Sequence, residues 1–468
     1  MISYFRSILP SRLTSLVLLF LGLQVPLLLT GIAATLPELL HMLVGERLAD
    51  GFAMYRQIYD NTAPLSALVY WLVDLLAGRS FLTYRAVALV LLLLQAVVFN
   101  VTLNRLSVYA SKNYLPALLY LVLGSLSLEF SMLSPLLIGN TFIILSLPYI
   151  VTVSREGFEN NRLFVGGFMI GLAALSYLPL ALFLVVGAFA VIFFASSTFR
   201  SFLLMLCGFA FPYALLVTYY LYTGALEEFV TLHLFQPWQL KVNFIVPPAH
   251  IAKFMCLPAL LLVLSFMSML SLPQRLVFQV KFQQVMWVWL FTSLLLVFTR
   301  PEISTGTFVV VLPPIAYFSE YFFVSGRKAW LLNLVFVLVL AGVLVLRYRE
   351  LLHLNRFIKI DESALLLPQA PATAIQNTTV LVLGNDIGYY IHNKPVTPYL
   401  NWQIAQGHFG NLSEYQAVFD ILKNFRSETP AYIVDKAGLM PELQYKLPAV
   451  FGKYKPTTDH EGIYRLTR

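Results

Sequence analysis

Charge is what this sequence is shortest of. Asp, Glu, Lys and Arg make up 12% of its 468 residues and hydrophobic types 59%, too lopsided a ratio to wet the surface of a soluble globule. A polytopic membrane protein is what remains. Cysteine is nearly absent, and Cys207 and Cys256 both fall inside apolar segments, so no disulfide framework is expected and the redox compartment cannot be read. No basic run interleaved with aromatics offers a groove for nucleic acid, despite a net charge of +8. Walker A, HExxH and CxxC patterns are missing, which leaves nucleotide hydrolysis, zinc proteolysis and thiol exchange without support. The two halves of the chain show no transporter-like symmetry, and no ionisable residue stands near a span centre as a coupling site.

Long apolar runs are what the chain has in quantity. At about 20 residues per span it holds ten or eleven membrane helices and still leaves a soluble module. Arg6 and Arg12 precede the first run, Leu13 to about Ala34; the spans that follow make it a retained anchor with a cytoplasmic N-terminus. The loop at 35–80 is then external. Ala63 to Leu76 is apolar but only about 14 residues long, opens at Pro64 and contains Asp74, so it reads as a juxtamembrane helix lying on the surface. Phe81 to Leu103 runs back inward and delivers Arg105 and Lys112 to the cytoplasm. Continued in this way, with Leu163 to Ala195 broken into two at Ser176-Tyr177-Leu178-Pro179, the count reaches eleven and leaves the C-terminus external.

From about Arg349 the composition turns polar and the apolar runs shrink to strand length. Thr379–Leu383, Ala431–Val434 and Gly462–Leu466 read as strands and Leu412–Phe425 as an amphipathic helix, giving an α/β domain over 349–468 behind a transmembrane domain over 1–348. Gly384-Asn385-Asp386 follows the first strand, where either a ligand turn or a plain loop fits.

The most informative stretch is Pro37 to Leu76, which carries Glu38, Glu46, Asp50 and Asp60 ahead of Asp74 in a chain otherwise almost free of acid over its first 350 residues. Glu38 has two readings: a carboxylate able to act as base or metal ligand at the bilayer surface, or an acid favouring the N-terminus of a helix that starts at Pro37. Glu46 and Asp50 are four apart on one helical face, either solvated or a metal pair. Asp60 precedes the Pro64 helix and can cap it. The order of Glu38, Glu46-Arg47-Leu48-Ala49-Asp50-Gly51, Tyr55-Arg56, Tyr59-Asp60, Pro64-Leu65, Gly78-Arg79 and Arg85 resembles the GT-C superfamily of membrane glycosyltransferases. The closing module, with its GND turn, AYIVDK and GIYRL, is similar to the external domain many of these carry.

That resemblance implies transfer of a sugar from a polyprenyl-phosphate donor to a glycan, lipid or protein acceptor on the outer side of a bacterial inner membrane. It implies Glu38 as base or as ligand of a divalent cation (Mg or Mn), with Asp50 or Asp60 assisting. Arg85 and Arg56 would hold the donor phosphate beside Tyr55, and Arg300 and His233 are further outer-leaflet candidates, although an interfacial aromatic belt is the better fit for His233. In one respect the sequence departs from the family pattern: Pro37 stands where a catalytic Asp is usual, which leaves Glu38 alone. A non-catalytic scaffold in envelope biogenesis is the alternative this supports, and a transporter is the third.

Overall fold

The computed structural model describes residues 1–31, 34–151, 160–195, 198–236, 243–270, 276–299, 302–324, 328–356, 358–367, 375–457 and 462–467. Its main helices are, in order, α1 (Pro10–Thr30), α2 (Leu36–Ala49), α3 (Pro64–Ala77), α4 (Phe81–Arg105), α5 (Leu115–Leu123), α6 (Pro135–Val151), α7 (Asn160–Ser176), α8 (Phe183–Phe194), α9 (Thr198–Thr223), α10 (Pro248–Met269), α11 (Val277–Val297), α12 (Leu312–Val324) and α13 (Ala329–Arg347). Among the described residues, seven helical stretches are long and apolar enough to cross a membrane: α1, α4, Phe199–Thr223 in α9, α10, α11, Thr305–Val324 including α12, and α13. The protein is a polytopic helical membrane protein.

Seven is fewer than the eleven expected from apolar run lengths, and the missing ones are short helices. The stretch Tyr114 to Leu128 forms only the nine residues of α5, about 14 Å of helix against a hydrocarbon core of about 30 Å. It stops at Gly124 because three serines, Ser125, Ser127 and Ser131, follow. The 33-residue run Leu163 to Ala195 breaks after Ser176, and a 3-10 turn over Leu178–Leu182 with Pro179 at its start separates α7 from α8.

The chain folds as two compact units, one from Met1–Ile32, Leu82–Tyr220 and Pro237–Glu362, the other from Ala33–Phe81, Leu221–Gln236 and Ser363–Arg468. Within the first, helices are tied by polar groups that have no water to turn to. Gln95 of α4 donates to Leu137 O and Thr141 Oγ1 of α6, both at 2.8 Å, and accepts from Tyr120 of α5 at 2.7 Å. α7 and α9 approach backbone to backbone: a Cβ on Gly167 would lie 1.9 Å from Met205 O, and one on Gly208 2.1 Å from Phe164 O. Only glycine permits that spacing.

The second unit holds a five-stranded mixed sheet. β1 (Asn243–Phe244) and β2 (Glu302–Ile303) form a separate parallel bridge in the first unit; β3 (Thr379–Leu383), β4 (Lys394–Pro395), β5 (Tyr432–Asp435), β6 (Tyr454–Pro456) and β7 (Ile463–Leu466) build the sheet in the order β4-β3-β5-β7-β6. β3 runs parallel to β4 and β5, whereas β7 is antiparallel to β5 and β6. Leu381, Leu383 and Ile433 pack on Ile421 and Phe425 of helix α15 (Tyr415–Ser427), with α14 (Trp402–Phe409) completing the core. Tyr59, from the loop after α2, packs against that same core. Gly384 of the GND turn is required by the neighbouring strand end: a Cβ there would meet Lys436 Cβ at 2.8 Å, and its φ is +145°.

Candidate functional site

The acidic loop and the C-terminal α/β module belong to one unit, so the site is built from both. α2 begins with a capping box. Thr35 Oγ1 accepts from Glu38 N at 3.4 Å, while the Glu38 carboxylate accepts from Thr35 N at 3.4 Å and Thr35 Oγ1 at 3.2 Å. Glu38 is thereby buried at the helix head, where a negative charge is favoured by the macrodipole. Asp50 ends the same helix and is exposed, 3.6 Å from Lys394. Twelve residues at 1.5 Å each separate the two carboxylates by about 18 Å, too far for both to act on one bond.

Beyond Gly51 the chain forms a tight loop. Tyr55 is fully buried with φ +68°, unusual for so bulky a residue, and its hydroxyl donates to Thr62 O at 2.8 Å. Its ring lies 5.8 Å from Phe229, which stacks on His233 at 5.3 Å. Asp60 is fully buried: Oδ1 accepts from Thr62 N at 2.7 Å and from the Thr62 hydroxyl, and Oδ2 accepts from Asn401 at 3.0 Å. Asp60 thus turns its oxygens to the loop and the module. Arg56 is exposed, 3.4 Å from Thr223 O. Tyr55, Arg56, Asp60 and His233 are brought together around this loop; Glu38 and Asp50 mark the ends of α2. Arg85 is buried in α4, in the other unit, and Arg300 lies outside the described residues.

Burial pushes the His233 imidazole down to about 3, so at neutral pH it supplies no positive charge to a phosphate and belongs with the aromatic rings around it. Asp74, near the end of α3, has its carboxyl pushed up by burial and then by the nearby Glu46 charge.

Two arginines that the sequence offered as motif residues but not as site residues hold this unit together. Arg47 makes a bidentate pair with Glu428, at 2.9 and 2.5 Å, and stacks over Phe52 at 3.6 Å. Arg79 pairs with Glu46 and fans its Nη1 over the carbonyls of Tyr390, Ile391 and Asn393. Their hydrogen-bond partners stand more than 300 residues away along the chain, except for Glu46. No local pattern announces such pairs. Among the described residues no group of three or more His, Cys, Asp or Glu side chains converges as a divalent cation would need.

No protein-family model matches the chain, and no curated protein or solved structure matches it either.

Proposed function

We propose that the chain is an integral-membrane glycosyltransferase of the GT-C type, with eleven membrane passages and with its acidic loop and α/β module on the outer face of a bacterial inner membrane. The observation that carries this reading is that the loop following the first membrane-length helix is no mere connector. It is folded as one unit with the C-terminal module, and it buries a carboxylate, Glu38, at its entrance.

In the proposed reaction an acceptor hydroxyl oxygen attacks the anomeric carbon of a polyprenyl-phosphate-linked sugar. The new glycosidic C–O bond forms as the bond to the phosphate oxygen breaks; polyprenyl phosphate leaves with the electron pair, and Glu38 takes the hydroxyl proton. Direct attack inverts the anomeric configuration. Arg56, in the same unit as Glu38, is the cation proposed for the donor phosphate. Asp60 serves by shaping the loop.

One observation favours the scaffold alternative: the Glu38 carboxylate is already used as a helix cap. Glu38→Gln separates the two roles, because glutamine also completes a capping box but cannot act as base. Transfer of sugar from polyprenyl donor to acceptor should fall about 100-fold or more, with unchanged thermal stability. Full transfer by this variant sinks the enzymatic role of Glu38, whereas absence of transfer by the unaltered protein leaves the scaffold.

A further inference from the structure

Several polar contacts that the α2–α3 region makes with the module gather on one twelve-residue segment, Tyr390–Asn401, and on Glu428, apart from Leu36 N, which donates to Leu365 O at 2.9 Å. Arg79 takes the carbonyls of Tyr390, Ile391 and Asn393; Asp50 faces Lys394; Arg47 Nη1 reaches Pro395 O at 3.4 Å; Tyr59 N donates to Pro398 O at 2.8 Å; Asn401 donates to Asp60. At the centre of that segment sits Thr397 with φ +75°, buried, with its hydroxyl unpartnered among the described residues. A β-branched residue in the left-handed region is strained, and a following proline adds to the cost. Something must hold it there. The Thr397 amide donates to Glu428 Oε2 at 2.9 Å, the oxygen that Arg47 also grips.

We propose that Arg47 is a positioning residue for the acidic loop. Through Glu428 it holds Thr397 in the left-handed conformation, and that conformation presents the Pro398 carbonyl and the Asn401 amide to Tyr59 and Asp60. The chain of contacts therefore runs from α2 out to the module and back to the loop that α2 leads into. Its bearing on glycosyl transfer rests on the function proposed above; the linkage itself does not.

The test is site-resolved hydrogen exchange on the full-length protein, read at the amides of Tyr59 and Thr62. Arg47→Ala should speed their exchange about tenfold or more, since charge-assisted hydrogen bonds are lost. Thr397→Gly removes the strain that the ion pair opposes, because glycine adopts positive φ freely. Arg47→Ala combined with Thr397→Gly should therefore return the exchange to within about threefold of the original, and Arg47→Ala with Thr397→Ala should not. Glu428→Gln keeps the shape and loses the charge, and should give an intermediate acceleration even where Arg47→Ala folds poorly. Unchanged exchange in both Arg47→Ala and Glu428→Gln overturns the proposal, as does equal rescue by alanine and glycine at 397. If exchange follows the expected pattern but the unaltered protein transfers no sugar, the functional reading falls while the linkage stands.

Discussion

His233 is stacked on Phe229 and kept neutral by burial. In the unfolded chain an imidazole gains its proton near pH 6.5, whereas the folded one waits until about pH 3. Stability from this residue is therefore complete above pH 6.5 and is lost as pH falls toward 3, by about 2 kcal/mol at pH 5. His233→Phe, which keeps the ring stack, should abolish that acid-side loss; thermal unfolding at pH 7 and pH 5 reads it. Asp74 works in the opposite sense. Its carboxyl is raised in the folded state, so the stability it contributes is present at low pH and falls as pH rises through the folded value. Asp74→Asn should unfold at higher temperature than the parent protein at pH 8, with the gap closing at pH 4. At this scale the sequence was partly legible: Thr35-Leu-Pro-Glu38 is a capping-box spacing, and the helix-start reading of Glu38 anticipated it. The left-handed Tyr55 and Thr397 were not legible, because neither residue type favours positive φ.

Among the elements, α3 sets the sharpest test. Its fourteen residues make about 21 Å of helix, short of a bilayer crossing, whereas α4 has the length to span. Leu76 near the end of α3 and Val90 within α4 are both well exposed. A lysine at Leu76 should be tolerated near the interface, while Val90→Lys places a charge deep in hydrocarbon at a cost of about 2.5–3.5 kcal/mol; the yield of folded protein in membranes compares them. Equal tolerance would show that the two helices share a depth. Apolar run length located these helices well, since run length is a local property. It said less about helix length, because a run such as Tyr114 to Leu128 ends its helix early at Gly124 and then turns through serines.

Taken whole, the molecule joins what the sequence keeps apart. Strands β3, β5 and β7 were readable from β-branched runs, and the α15 helix from its spacing. The placement of Glu38, Asp50 and Asp60 on the acidic island was readable as well. What could not be read was that residues 33–81 and 363–468 form one unit, since that rests on pairs such as Arg47–Glu428, 381 positions apart. Arg79 carries a consequence for the order in which the protein is made. The backbone carbonyls it holds begin 311 residues downstream, so at about 5–20 residues per second of synthesis they arrive about 15 to 60 seconds after the arginine does. During that interval the island has left the ribosome with neither of its clamps closed. The earliest acidic stretch to be synthesised is thus among the last to take its final shape, and a chain cut short before residue 390 would insert its helices yet never finish this loop.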